Sequence, residues 1–337
     1  MRNSLKIAAA LAATMGICGY AFAQNSSRPN GGTSKDVSAK TAVAPSLAAN
    51  PQVVVGVITG AQYAVAGTGL RNRSTATINI SGFVPPVQKA ILYWGVLCPT
   101  ESACGSTIIF QRLSPTSIVP KTFVGTLIGV GPDPCWGSNH AEFYKAYLPS
   151  NYAPSEAGGG TYQVSIPKGE QGITDSSDPW VEANASKPQW EGASLLLVGT
   201  GTSTVNITDA GLAGTFGEPD LSYDLPLLGT PNGKAVHWSG INDDGQVGNS
   251  TTSIEGVQDE QVFINGTQIS GPNTGPVPWD TDSDFNGNDA GPLPQLWDSR
   301  THDISSVSLE SHSLDIEVTS LDGGGDCVEV VANAISF

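Results

Sequence analysis

Short runs of apolar and β-branched residues alternate with Gly-, Pro- and Asn-rich connections along most of this chain. Val53–Ile58, Thr75–Ile80 and Lys89–Val96 are rich in β-branched or aromatic residues and are bounded by turn-forming residues, which is typical of β-strands. The same pattern predicts strands at residues 107–111, 122–128, 161–166, 193–198 and 204–208. Helical spacing is hard to find after the N-terminal segment, and only Ala141–Tyr147 invites a helical interpretation.

The last third of the chain indicates how strands pair. Asn265-Gly266 lies between two strand-like arms, and this dipeptide favours a type I′ hairpin because both turn positions need positive φ. Ser313–Thr319 alternates between apolar and polar residues, which predicts a strand with one buried face, and Cys327–Ile335 predicts a mostly buried closing strand. Ala193–Val198 lacks polar alternation, as in a central strand that is buried on both faces.

Many short strands with turn-rich connections predict an all-β fold, namely an antiparallel β-sandwich of the jelly-roll or immunoglobulin-like type. Residues 52–337 are long enough to form one large sandwich unit or two packed lobes. In the second case we expect the lobes at 52–215 and 216–337.

The N-terminus predicts a secretion signal over residues 1–23. Arg2 and Lys6 precede a short apolar segment, and Ala21-Phe22-Ala23 fits a cleavage site before Gln24. Residues 24–51 are polar and lack apolar periodicity, which predicts a disordered linker. No later stretch has the roughly 20 apolar residues of a transmembrane helix. We therefore expect a secreted protein without a transmembrane anchor, located in the periplasm, on the outer surface or outside the cell.

Composition narrows the range of partners. The formal net charge is −16, so nucleic acid is not an expected partner. Only 14% of the residues are charged, while glycine and proline number 40 and 23, in agreement with a turn-rich β protein.

Four cysteines remain after the predicted cleavage, and an even number in an exported chain favours two disulfides. Three pairings are possible for four cysteines. We favour Cys98 with Cys104 as a short loop link and Cys135 with Cys327 as a link across the fold. A zinc site is the weaker interpretation, because neither a C-x-x-C motif nor a nearby histidine accompanies these residues in the sequence.

The segment from Asp280 to Asp289 carries the clearest candidate for metal binding. From Asp282 it reads D-x-D-x-N-G, the opening of a calcium loop in which alternate side chains supply oxygen ligands. The candidate Ca²⁺ ligands are Asp280, Asp282, Asp284, Asn286, Asn288 and Asp289. An ordinary acidic turn is the alternative, since Asp, Asn and Gly are also the usual turn formers. Asn242-Asp243-Asp244-Gly245 is a second acidic stretch, which we interpret as a loop.

Several tryptophans lie beside Pro, Gly, Asp or Glu instead of within apolar runs. Aromatic rings in a low-charge extracellular protein are suited to stacking on sugars, although many such rings simply pack on a sandwich. The candidates for ligand stacking are Trp136, Trp180, Trp279 and Trp297.

A series of short motifs along the chain is more informative in its order than any single motif is. The chain carries Val87-Gln-Lys-Ala-Ile-Leu-Tyr-Trp94, Gly160-Thr-Tyr162, Trp190–Val198, Val205-Asn-Ile207, Trp297-Asp298, Asp303-Ile304 and Gly325-Asp-Cys327. In this order they resemble a bacterial and archaeal family of secreted or cell-surface β-sandwich domains of unknown function. The resemblance covers roughly residues 53–337, departs from the family around residues 211–256, and implies an extracellular, non-enzymatic module without catalytic residues to carry over.

These observations lead to two functional hypotheses. The first is a secreted, calcium-stabilised β-sandwich that serves as a surface, matrix or glycan-binding module, with an extracellular glycan or cell-surface component as partner. The second is a secreted glycan hydrolase or lyase with two carboxylates in a sandwich cleft, about 5–9.5 Å apart. The cluster from Trp297 to Asp303 offers acid, base and hydroxyl groups, but His302 and Asp303 would lie on opposite faces of a strand.

Overall fold

The computed structural model describes residues 53–82, 85–133, 136–152, 159–177, 185–213, 221–229, 235–243, 260–271, 296–309, 313–320 and 329–337. These residues form antiparallel sheets that pack together, so the predicted all-β sandwich is confirmed. Across the described ranges, no helix is long and apolar enough to cross a membrane.

The strands follow one another along the chain with short connections. They are β1 (Val53–Gly69), β2 (Thr75–Ser81), β3 (Val87–Cys98), β4 (Thr107–Ser114), β5 (Lys121–Val124), β6 (Thr126–Gly131), β7 (His140–Tyr147), β8 (Gly159–Ser165), β9 (Gln189–Ala213), β10 (Leu221–Pro226), β11 (His237–Asp243), β12 (Glu260–Ile264), β13 (Thr267–Ser270), β14 (Trp297–Asp303), β15 (Ser313–Ser320) and β16 (Glu329–Ser336).

One large sheet organises the fold. Its strand order is β14-β11-β16-β9-β3-β7-β6, and β1 pairs with β9 in addition. Two smaller sheets have the orders β2-β8-β4-β5 and β10-β15-β12-β13. Since every pairing is antiparallel, each strand can bury one face or both depending on what covers it.

Strand β9 lies in the middle of the large sheet and connects its two halves. Its first part, up to Gly199, pairs with β3, and its last part, from Val205, pairs with β16. We call the strands around the first part (β3, β7 and β6) the first half of the sheet, and those around the last part (β16, β11 and β14) the second half. β1 runs beside β9 through both halves, from Val53 opposite Asp209 to Gly69 opposite Gly192.

Three apolar clusters fill the spaces between these layers. One joins the β2 sheet to the first half and contains Trp94, Phe110 and Tyr162. Another joins the β10 sheet to the second half and contains Trp238 and Ile316. The third, which we call the seam, combines residues of both halves of the large sheet, including Tyr93, Leu196, Ile241 and Trp297. The two halves therefore pack against each other across the seam.

Local sequence predictions can be compared with these elements. Asn265 and Gly266 form the turn between β12 and β13 with φ of 48° and 71°, as the predicted hairpin requires. In β15, Leu314, Ile316 and Val318 are buried while Asp315 is exposed, which confirms the alternation. The helical interpretation of Ala141–Tyr147 is wrong, because this segment is β7. Its apolar spacing is ambiguous over so few residues.

Candidate functional site

A cleft of about 560 Å³ opens where β1 and β9 bend between the two halves of the large sheet. We call it the seam cleft. Its volume is in the range of sites that hold small molecules. It is lined by Ala61, Gln62, Tyr63, Thr200, Gly201, Thr202, Ser203, His237, Thr301 and Ser336.

The bend that opens the cleft follows from the local backbone. The pairing of β1 with β9 is irregular at Ala61, which lies opposite both Thr200 and Ser203. Two additional residues of β9 thus bulge out at this point, and bulges bend strands and reorient side chains. A Cβ atom on Gly201 would lie 2.4 Å from the Ala61 carbonyl oxygen, so the two backbones approach closely because this residue is glycine.

A chain of hydroxyl groups leads from the lining of the cleft into the protein. Thr301 Oγ1 lies 2.7 Å from Ser239 Oγ, which lies 3.0 Å from the Tyr63 hydroxyl. Tyr63 donates to the Ala334 carbonyl oxygen at 3.2 Å. Because that carbonyl only accepts, Ser239 donates to Tyr63 and Thr301 donates to Ser239. The exposed Thr301 oxygen keeps its acceptor capacity toward the cleft.

The cleft carries no acidic side chain and no ionised phenol. Burial raises the pKa of the Tyr63 phenol well above its usual value, and the hydrogen bond from Ser239 offsets only part of the effect. Tyr63 therefore stays protonated at physiological pH. The lining residues include no Asp, Glu, Lys or Arg. Hydroxyl, amide and backbone groups next to Tyr and His rings suit a neutral ligand with many hydroxyl groups.

Of the candidate calcium ligands and stacking tryptophans from the sequence, the two that the structure describes, Trp136 and Trp297, do not line the seam cleft. The possible calcium ligands Asp280, Asp282, Asp284, Asn286, Asn288 and Asp289, and the tryptophans Trp180 and Trp279, lie outside the described residues. Trp136 is half-buried, and the Arg71 guanidinium lies 4.5 Å from its ring centroid. Trp297 is fully buried in the seam, where its indole N–H donates to Ser194 Oγ at 2.7 Å. Its ring packs on the backbone of Gly192.

The predicted disulfide between Cys98 and Cys104 is confirmed, with a Cα–Cα distance of 5.7 Å. It closes the loop after β3. Cys135 and Cys327 lie outside the described residues, so their pairing stays a prediction.

Two carboxylates that the sequence did not assign to a site lie at the end of the seam. Asp243 ends β11 and lies opposite Glu329 of β16, and both side chains are fully buried. A Cβ atom on Gly95 would lie 2.3 Å from Asp243 Oδ2, which places this carboxylate against the first half of the sheet. The interpretation of Asn242-Asp243 as loop is therefore wrong, since both residues belong to β11.

The cluster from Trp297 to Asp303 forms β14. His302 is buried and stacks on Trp238 with ring centroids 5.9 Å apart, whereas Asp303 is exposed and accepts a hydrogen bond from Ser305. The two side chains point to opposite faces, as the alternation of a strand requires. They do not form a common acid–base site.

No family model and no curated protein matches this chain, so the family resemblance stays a prediction. Among solved structures, a peptide-N(4)-(N-acetyl-β-D-glucosaminyl) asparagine amidase is similar at 11% identity and a TM-score of 0.22, covering 82% of this chain and 96% of that chain. PNGase F, a glycosylasparaginase from Flavobacterium meningosepticum, is similar at 12% identity and a TM-score of 0.21, covering 82% and 96%. The major capsid protein P2 of bacteriophage PM2 is similar at 7% identity and a TM-score of 0.21, covering 82% and 97%. At such low identity and TM-scores, these likenesses do not extend to function.

Proposed function

We propose that this protein is a secreted, calcium-stabilised β-sandwich module that binds a neutral glycan in the seam cleft. The single observation that carries the proposal is the cleft of about 560 Å³, lined by hydroxyl, amide and imidazole groups and by no Asp, Glu, Lys or Arg. A sugar presents many hydroxyl groups that both donate and accept hydrogen bonds, and the lining offers both roles.

The position of the cleft supports this proposal. Thr200, Thr202 and Thr301 are exposed at its mouth, while Tyr63 and Ser239 are fixed behind them by hydrogen bonds. Pre-arranged polar groups lower the entropy cost of binding, since few side chains have to be ordered by the ligand.

The proposal is tested by screening the purified protein on an array of neutral and acidic oligosaccharides and by titration calorimetry with the sugars that bind. We expect neutral sugars to be preferred, because the net charge of −16 repels acidic ones. Gln62→Ala and Thr301→Val should each weaken binding by about 2- to 12-fold, the equivalent of one neutral hydrogen bond. The exposed Thr122→Val on β5 is the matched control and should bind normally. Equal affinity in all variants would overturn the assignment of the cleft.

Hydrolysis or elimination of a glycan is the second candidate, and the pair Asp243 and Glu329 favours it. This pair lies at the far end of β11 and β16 from His237 and Ser336, about 20 Å from the seam cleft, so catalysis there requires a separate binding site. Opposite residues of antiparallel strands have Cβ atoms about 4.5–5.5 Å apart, close to the carboxyl separation of about 5–5.5 Å in retaining glycosidases. Both side chains are, however, fully buried, whereas catalytic carboxylates must reach the substrate. Binding is therefore the preferred function. Release of reducing sugar that is lost in Asp243→Asn and in Glu329→Gln would instead favour the enzyme.

A further inference from the structure

Four potential metal ligands converge at one end of the pair formed by β3 and β7. Cys98 lies directly opposite His140 in this pair. Glu142 follows His140 by two residues and therefore shares its face of the strand. Cys104 returns to the same place through the loop after β3, where the disulfide joins it to Cys98.

The distances among Cys98, Cys104 and Glu142 are compatible with a metal site, and His140 is connected to these three through Glu142. The sulfur atoms of Cys98 and Cys104 and a carboxylate oxygen of Glu142 all lie within 4.8 Å of one another. Glu142 Oε2 lies 3.4 Å from Cys98 Sγ, and Glu142 Oε1 lies 3.0 Å from His140 Nε2. Zinc takes sulfur, imidazole nitrogen and carboxylate oxygen at about 2.0–2.3 Å in a tetrahedron, so its ligands lie about 3–4 Å from each other.

The loop that carries Cys104 is also fixed by contacts other than the disulfide. The Cys104 backbone N–H donates to Glu142 Oε2 at 3.0 Å, and the Tyr144 hydroxyl donates to the Cys104 carbonyl oxygen at 3.0 Å. The Trp94 indole N–H donates to the Gly105 carbonyl oxygen at 2.8 Å. These hydrogen bonds do not involve sulfur, so they hold Cys104 beside Cys98 after the disulfide is cleaved.

We propose that Cys98, Cys104, Glu142 and His140 bind one Zn²⁺ when the disulfide is reduced. A dithiol reductant supplies two electrons and two protons, which convert the disulfide into two thiols while the reductant becomes a disulfide. Zinc binding then releases the two thiol protons, because the thiolate is the ligand. Since one pair of sulfur atoms serves both states, the disulfide and the zinc-bound form exclude each other.

Cobalt(II) spectroscopy tests the proposal in protein whose Cys18, Cys135 and Cys327 are replaced by Ser, so that Cys98 and Cys104 are the only thiols. After reduction with a phosphine, Co²⁺ should produce thiolate-to-cobalt charge-transfer absorption and the visible bands of a tetrahedral site, saturating at one ion per chain. Zn²⁺ should remove these bands. The oxidised protein should show none of them. Bands of equal strength in the oxidised protein, or no bands after reduction, would overturn the proposal.

Variants distinguish this site from adventitious thiolate binding. Changing even the hydrogen-bond partners of metal ligands lowers affinity by about 10–100-fold, so Glu142→Gln and His140→Gln should each weaken Co²⁺ binding by at least about 10-fold. Glu101→Gln, in the exposed part of the same loop, is the matched control and should bind normally. Near-ultraviolet circular dichroism of each reduced variant reports its fold. If the reduced protein loses that signal and Co²⁺ does not restore it, the proposed preformed site does not exist.

Discussion

Arg71 and Glu191 form a buried ion pair in the first half of the large sheet. Both side chains are fully buried, and Arg71 Nε donates to Glu191 Oε2 at 3.2 Å. Burial raises the pKa of Glu191 to about 7, although the guanidinium of Arg71 acts in the opposite direction. Desolvation of the carboxylate is thus the larger of the two effects on its pKa.

This pair predicts a specific dependence of stability on pH. An acid whose pKa is higher in the folded state binds its proton more tightly there, so its stabilising contribution is complete below the unfolded value of 4.5 and is lost as the pH rises through about 7. We expect Glu191→Gln, which does not titrate, to flatten the change in the free energy of unfolding between these two pH values. Urea unfolding at several pH values between these two limits measures the free energy of unfolding, with the exposed Glu101→Gln as control. Parallel curves for wild type and Glu191→Gln would contradict the raised pKa.

Strands β6 and β9 approach each other unusually closely. A Cβ atom on Gly129 would lie 2.2 Å from the Gly211 carbonyl oxygen and 2.5 Å from its Cα atom. Backbone atoms cannot rotate away as a side chain can, so the absence of a side chain at Gly129 is what allows this contact.

Gly129→Ala should therefore destabilise the protein. Forcing one methyl group into a packed space costs about 1–3 kcal/mol, because neighbouring backbone has to move. Gly169→Ala is the control, since a Cβ atom there meets no atom within 4 Å. Chemical denaturation measures the free energy of unfolding of both variants. Equal midpoints for the two variants would show that β6 moves away from β9 at little cost.

The strands were largely predictable, whereas their continuity was not. Short apolar and β-branched runs identify segments such as Thr75–Ile80 because side-chain alternation is a local property. Residues 193–198 and 204–208, however, predict two strands where β9 is a single strand of 25 residues. The sequence suggests that the strand is interrupted at Gly199-Thr200-Gly201. In the structure, however, β1 follows the bend of β9 and pairs with it on both sides of this point.

At the level of the whole molecule, the seam is formed by contacts between residues far apart in the chain. Asp209 of the second half binds Lys145 and accepts a hydrogen bond of 3.1 Å from the Tyr93 hydroxyl in the first half. The seam cleft likewise draws its lining from β1, β9, β11, β14 and β16. Local sequence patterns indicate a sandwich, but they do not show which distant strands pair. For the same reason, the sequence did not predict that His140 lies opposite Cys98.

Calcium should raise the thermal midpoint of the whole protein if the segment from Asp282 binds it. An ion that binds the folded state and not the unfolded chain adds about 2.7 kcal/mol at a hundredfold excess over its Kd. Asp282→Ala combined with Asp284→Ala should abolish the increase. Differential scanning calorimetry with Ca²⁺ and with Mg²⁺ measures it, and Mg²⁺ should have a smaller effect because it requires strict octahedral geometry. Equal shifts with both ions would indicate an ordinary acidic turn.

The pairing of β1 with β9 also determines when this protein can fold. Gly69 finds its partner only at Gly192, and Val53 only at Asp209. Closing such long loops costs entropy before any contact repays it, so strand pairs of this kind form slowly. During synthesis, β9 emerges long after β1, so the large sheet cannot be completed early, although the β2-β8-β4-β5 sheet lies wholly before β9. The large sheet is therefore completed only late in the synthesis of the chain.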